Sequence, residues 1–220
     1  MIITIDGPAG AGKGTVAKFL AEKYNLRKLD TGLLYRALAK KIVEEKLNPQ
    51  ETPSKIIDLA RQITIESTEQ DGLRTEEVAN MASVIATCPQ VREILKQIQR
   101  DFALADPHPY QGVILDGRDI GTVICPNADC KIFLTASSEV RVMRRNSQVG
   151  GTARSHEEIS KIMTERDTRD QNRIVAPLSA AENAYIIDTT HLTINEVCSR
   201  AAYYVEQLYL KKKSISSSNS

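Results

Sequence analysis

IITIDGPAGAGKGT, residues Ile2 to Thr15, decides the fold. Ile2 to Ile5 is apolar or β-branched throughout, which suits a short buried strand, and Asp6-Gly7 ends it. From Val16 to Tyr24 apolar residues return at helical spacing. Gly7, Gly10, Gly12 and Gly14 therefore fall in a strand-to-helix turn, where missing Cβ atoms let the backbone curl and aim successive N–H groups at an anion. Lys13 adds a full positive charge beside the positive end of the following helix.

The spacing Gly7-x4-Gly12-Lys13, with a strand before it and a helix after it, is that of a phosphate-binding loop. Gly7, Pro8, Ala9, Gly10, Ala11, Gly12, Lys13, Gly14 and Thr15 are thus the candidate nucleotide-binding residues. The alternative is a glycine turn that only packs helix on sheet. The Ser or Thr that usually follows the lysine is displaced by one position, Gly14 standing there and Thr15 coming next. This variant, GKGT, is similar to the loops of nucleoside monophosphate kinases. By that likeness Thr15 meets phosphate and Mg2+ is held partly through water.

With 220 residues, 41% of them hydrophobic, the chain can bury one proper core with a mobile sub-domain or two. Its 29 basic and 28 acidic side chains leave a net charge of +1, so no broad field invites nucleic acid or a membrane surface, and any basic site is local. Cys88, Cys125, Cys130 and Cys198 include no CxxC pair and lie far from His108, His156 and His191, which argues against zinc and for reduced thiols. No basic-plus-apolar leader opens the sequence and no apolar run reaches membrane-spanning length, so a cytoplasmic, monomeric enzyme is expected. The polar end, residues 211–220, is expected to be disordered, the plain alternative being that Lys211-Lys212-Lys213 sit at a helix C-terminus.

The remaining elements follow an α/β order. Residues 25–30 form a connector or edge strand; Leu34, Leu38 and Ile42 mark the buried face of the next helix, which Asp30 or Thr31 caps. Thr31 and Arg36 then sit near a helix start, where an anion is welcome, or else Thr31 only caps and Arg36 faces solvent. Residues 48–105 read as a largely helical insertion, with Ile56 to Ile65 passing from helix into a short strand and Glu66 to Gly72 as a loop. Val78, Met81 and Ile85 define one helix there, and Pro89 starts another whose stripe is Val91, Ile94, Leu95, Ile98 and Phe102. Ser83 and Arg92 lie off those stripes, free to face a cleft or plain solvent. Val113–Asp116, Lys131–Thr135 and Tyr185–Asp188 complete a central five-stranded parallel sheet flanked by helices. Ligands gather beyond the carboxyl ends of such strands, which favours the turn Gly117-Arg118-Asp119-Ile120-Gly121 as part of a site.

A capping box, Ser155 with Glu158, opens a helix on which Arg166, Asp170 and Arg173 recur at i, i+4 and i+7, should the helix run that far. Two arginines flanking an aspartate suit phosphate oxygens and sugar hydroxyls; the same spacing also makes ordinary surface ion pairs. Arg154, after Gly150-Gly151, belongs to a flap or is a plain loop charge. Many arginines around one sheet edge are what phosphoryl transfer between two anions needs, which makes a small-acceptor kinase the reading from the residues alone.

GPAGAGKGT, LDTGLLYR, RTEEVANMAS, DGRDIGT, KIFLTASSEVR, ERDTRDQNR and APL, in this order, resemble bacterial cytidylate kinases. The likeness implies a P-loop kinase fold with a core (1–47 and 106–210), a nucleoside-monophosphate-binding insertion (48–105) and a lid (about 145–173). It also implies ATP with Mg2+ as phosphate donor, and CMP and dCMP as acceptors with poor use of UMP. By the same likeness Thr31, Arg36, Arg118, Arg166 and Arg173 surround the acceptor phosphate and the transferring group. Asp170 with Arg166 meets the ribose, and Ser83, Arg92 and Asp119 form the cytosine pocket. Lys13, Arg118, Arg166 and Arg173 are the residues expected to act on the transferring phosphoryl group. Two features depart from the family: residues 62–74 are shorter than an insertion that usually holds a small antiparallel sheet, and the flap near Gly150 is glycine-rich with fewer basic residues. Rival readings are a kinase for adenylate, shikimate or dephospho-coenzyme A on the same scaffold, and a non-catalytic ATP-binding switch.

Overall fold

A computed structural model describes residues 1–148 and 155–218. Within them the chain runs β1 (Ile2–Asp6), α1 (Lys13–Tyr24), β2 (Leu26–Asp30), α2 (Gly32–Glu44), α3 (Pro53–Ala60), α4 (Glu76–Ile85), α5 (Pro89–Leu104) and β3 (Gly112–Gly117). It continues with β4 (Cys130–Thr135), α6 (Ser138–Gln148), α7 (His156–Gln171), β5 (Tyr185–Asp188) and α8 (Ile194–Ser218). All pairings are parallel, in the order β2-β3-β1-β4-β5, so β2 (Leu26–Asp30) is one edge strand and β5 the other, Asn25 being the C-cap of α1. The α/β fold with a five-stranded parallel sheet stands as read from the sequence.

The central strands face helices on both sides, and the period of two distributes their side chains accordingly. Leu115 packs with Leu34, Leu38, Ile42, Val91 and Leu95 from α2 and α5, whereas its neighbour Ile114 packs with Val16, Leu20, Ala201 and Val205 from α1 and α8. The two layers hold the sheet rigidly enough that its carboxyl ends can serve as a platform. Register sets what meets there: Ile5 lies beside Asp116, Asp30 beside Asp116, and Asp6 beside Gly117. The glycine loop after β1 and the turn after β3 are therefore neighbours in space although more than a hundred residues apart in sequence.

Three local expectations are corrected. The stretch from Ile56 to Ile65 does not end in a strand: after α3 the N–H groups of Gln62 and Ile63 fold back onto the carbonyls of Leu59 and Ala60, and Ile63 is buried among the helices. Residues 66–69 form a 3₁₀ turn rather than an open loop, and no strand lies between residues 62 and 74. The C-terminal stretch expected to be disordered continues α8 as far as Ser218. Adding residues to an established helix needs no new nucleus, and lysine is a good helix former. The flap reading of Gly150, Gly151 and Arg154 lies outside the described residues. No helix among the described residues is long and apolar enough to cross a membrane. All four cysteines are free, Cys125, Cys130 and Cys198 being buried.

The loop's position depends on a glycine. Gly7 has φ of 146°, and a Cβ there would stand 2.0 Å from the carbonyl oxygen of Leu134 on β4. Left-handed backbone strain and a backbone clash act together at this point. Gly7→Ala is expected to lower the unfolding free energy by about 3 kcal/mol or more. Guanidinium unfolding midpoints of the two proteins check this.

Candidate active site

The loop between β1 and α1 curls as its glycines predict at Gly7, Gly10 and Gly12, all with positive φ. Gly14 is different. It lies inside α1 with ordinary backbone geometry, and a Cβ there would touch nothing, so no contact within the chain demands glycine. Pro8 and Ala11 are buried, Thr15 is exposed, and Lys13 is buried with its Nζ donating to the carbonyl of Pro8 at 2.8 Å. Ala9 is braced from outside the loop, since its carbonyl accepts from Arg141 of α6 at 3.3 Å, and Arg141 is itself ion-paired with Asp167 of α7. The carbonyl of Ala11 accepts from the Thr189 hydroxyl at 3.4 Å.

Carboxylates collect where β1, β2 and β3 end. Asp6 accepts from the N–H groups of Ile120 and Gly121 at 2.9 and 2.7 Å, fixing the turn after β3 onto β1. Burial pushes its carboxyl up to about 6, with those two hydrogen bonds pulling the other way. Thr31 is held by its hydroxyl and its N–H, both of which donate to the carbonyl of Asp116. It is Asp30, not Thr31, that caps α2, its Oδ1 accepting from Gly32 N–H at 3.1 Å. Oδ1 of Asp116 is buried with no hydrogen-bond partner. Burial drives the Asp116 carboxyl up and the Lys13 ammonium down, while attraction between the two opposes both shifts.

Opposite the loop, one cavity is lined by every residue expected at the acceptor: Thr31, Arg36, Ser83, Arg92, Arg118, Asp119, Arg166, Asp170 and Arg173. Ser83 and Arg92 have left solvent altogether. Arg92 pairs with Asp119 at 2.5 Å, both side chains being 8% exposed, and lies 5.9 Å from the centroid of the Tyr35 ring. Ser83 Oγ is buried and unpartnered. A larger, open concavity runs along α7 from His156 to Arg169, but its lining residues form none of these buried charge pairs.

The arginine cluster is arranged differently from the helix spacing. α7 ends at Gln171, so Arg173 lies past the end and folds back to pair with Asp170. The second partner of Asp170 is Arg118 from the β3 turn, at 2.8 Å, rather than Arg166. Burial alone would raise the Asp170 carboxyl, yet Arg118, Arg173 and Arg166 together hold it below the usual carboxylate range. Among the described residues Arg166 forms no ion pair, and its Nε is buried without a partner. Burial and the neighbouring charge of Arg118 press Arg166 down to about 9. Arg36, which donates to the carbonyl of Leu73 at 2.9 Å, is pressed down to about 10, by burial first and then by Arg145, Arg74 and Arg118, against the pull of Asp30. A guanidinium does not give up its proton inside a protein. These shifts therefore reflect desolvation first and crowded positive charge second, and an incoming dianion would offset both.

A profile of the family described as Cytidylate kinase matches residues 3–207. The chain belongs to the cytidylate kinase family. It is 43% identical over 213 residues to the cytidylate kinase of Methylocella silvestris, covering 95% of both chains. Against that of Mesorhizobium japonicum it is 42% identical, with 96% of each covered. Among solved structures, an uncharacterized protein from Eubacterium ventriosum superposes with a TM-score of 0.54 at 15% identity, covering 94% of this chain and 98% of that one, a likeness of fold alone.

Sequence reasoning passed over Asp116, Asp6, Arg141 with Asp167, Arg145, and Tyr35. Asp116 did leave a signal: an apolar run, Val113-Ile114-Leu115, that stops on a carboxylate beside the loop strand. The arginine pairs left none, since their partners lie 26 and 69 residues away.

Asp170 gives a pH-dependent prediction. Its folded value lies below its unfolded one, so the stability it confers is complete above about pH 4 and is lost as pH falls through the depressed folded value. Asp170→Asn should cost about 3–5 kcal/mol at pH 7, because Arg118 and Arg173 are left buried and uncompensated. The gap from wild type should close in acid; urea unfolding at pH 7 and pH 3 measures both.

Proposed function

We propose that this protein transfers the γ-phosphoryl group of ATP to CMP and dCMP, giving CDP and dCDP. The observation that carries the reading is the cavity that Arg36, Arg118 and Arg166 line together with the buried Arg92–Asp119 pair, with Arg118 and Arg166 near enough to Lys13 to act on its ammonium. Two anions have to meet at such a place. Only a dense positive field makes their approach tolerable.

The loop amides and Lys13 bind the β- and γ-phosphates. Arg36, Arg118 and Arg166 receive the acceptor's phosphate, whose oxygen attacks in line, and Arg173 adds charge as the transferring group spreads its negative charge over equatorial oxygens. No carboxylate acts as general base, since a phosphate monoester is already largely ionised near neutral pH. Asp119 offers an acceptor to the exocyclic amine of cytosine, with Ser83 and Arg92 completing the recognition; the carbonyl that uracil carries there would confront a carboxylate. The segments 48–105 and 145–173 close over the core (1–47 and 106–210) and exclude water.

The donor set suits magnesium. Asp116, with its partnerless buried oxygen, Asp30 and the exposed Thr15 hydroxyl are hard oxygen ligands beside the phosphate loop, of the kind that holds this ion directly or through water. Bound with ATP, magnesium supplies further neutralisation of phosphate charge.

An ADP-release assay with CMP, dCMP, UMP, AMP and shikimate as acceptors tests the reading. CMP and dCMP should be turned over, with kcat/KM for UMP lower by about a hundredfold or more, because a buried polar set is left mispaired. Equal turnover of AMP or shikimate, or ADP release that no acceptor stimulates, would overturn it.

A further inference from the structure

Helix α6 touches both the glycine loop and α4, the helix that brings Ser83 to the cavity. Arg141 reaches the loop at Ala9, as described, and Arg145, one turn further along the same face, forms an ion pair with Glu76 at the start of α4. One turn along α4 from Glu76, Asn80 accepts from Arg169 of α7 at 3.1 Å. The buried end of α4 carries Ser83, which faces the cavity. A line of contacts thus runs from the donor loop through Arg141 and Arg145 to Glu76 and on to the acceptor side. The ion pair is partly shielded, its side chains being 21% and 23% exposed, so it is stronger than a pair in open solvent.

Arg145 is also close enough to depress both Arg36 and Arg166, which places its charge beside the phosphate-facing guanidinium groups. Glu76 thus holds a cation near like charges that would repel it. Without Glu76 that repulsion would act on the Arg145 guanidinium without this counter-charge, and the contact between α6 and α4 at this point would be lost.

We propose that Glu76 is a positioning residue which, by pairing with Arg145, ties the loop-bracing helix α6 to the acceptor helix α4, so that nucleotide bound on either side tightens binding on the other. The proposal rests on the reading of the cavity as the meeting place of ATP and CMP. It assigns Glu76 no contact with substrate. Linkage makes the effect reciprocal, so a single factor describes both directions.

The test is titration calorimetry of CMP with and without a saturating non-hydrolysable ATP analogue, and of the analogue with and without CMP. It is applied to wild type, Glu76→Ala, Glu76→Gln, Arg145→Ala and the Glu76→Ala/Arg145→Ala double variant, with ATP-to-CMP turnover of each preparation recorded alongside. Wild type should show mutual tightening of about tenfold. Glu76→Ala and the shape-preserving Glu76→Gln should reduce it to about twofold or less while the affinity for CMP alone and the thermal midpoint stay near wild type; the double variant should lose no more coupling than Arg145→Ala. Undiminished coupling in both Glu76 variants, absence of coupling in wild type, or lost affinity for CMP alone with the coupling factor intact would each overturn the proposal. A wild-type protein inactive on CMP would instead fail the functional reading beneath it, and the recorded turnover distinguishes the two.

Discussion

A single buried carboxylate, Asp170, accepts two guanidinium groups, Arg118 from the β3 turn and Arg173 from beyond the end of α7. Its position joins the sheet platform to the last segment of the arginine cluster. The acids nearby pair with other partners, so two guanidinium groups are left without a carboxylate of their own: Arg36 leans on a backbone carbonyl, and Arg166 has no ion-pair partner among the described residues. The imbalance is the functional property. A fully neutralised cluster would be more stable and would have little attraction for phosphate, whereas a cluster without Asp170 would repel itself apart. The carboxylate keeps enough arginines together to leave a surplus aimed into the cavity.

A similar economy governs the loop. Lys13 is buried and satisfied by the Pro8 carbonyl, while Asp116 is buried with an oxygen left unpaired. Burial disfavours the charged form of both groups, and each charged form is favoured by the species that the family's chemistry brings, phosphate for the lysine and a cation for the carboxylate. The fold itself thus carries the desolvation of these groups and presents them preorganised to a nucleotide. The Arg92–Asp119 pair differs, because it is internally satisfied and presents shape and polarity in place of surplus charge. On the proposed reading, capture of phosphate and discrimination of base are separated in space and in physics.

What the sequence revealed and what it concealed follow from the range of the interactions. The loop was legible because its geometry is local: glycine spacing, an adjacent lysine and flanking periodicities all act within a few residues. The capping box at Ser155 was legible for the same reason, and it is formed. Arg166, Asp170 and Arg173 were identified together, but their pairing was not, because it depends on α7 stopping at Gln171 and on Arg118 arriving from another strand. Gly14 was grouped with its neighbours because composition does not distinguish a glycine in a strained turn from one inside a helix. Arg145 and Glu76 were invisible as a pair, since nothing in either helix's pattern specifies its neighbour across the cleft. Residues 62–74 form no strand, consistent with a chain segment too short to pair with itself as a sheet.

The central claim is that surplus guanidinium charge at the carboxyl edge of the sheet receives a pyrimidine monophosphate beside the glycine loop. Crystals grown with CMP test it most directly. The claim predicts phosphate oxygens about 3 Å from the guanidinium groups of Arg36, Arg118 and Arg166, and the cytosine edge against Asp119, Arg92 and Ser83. CMP seated in the open concavity along α7, or with its phosphate directed away from those arginines, would contradict it.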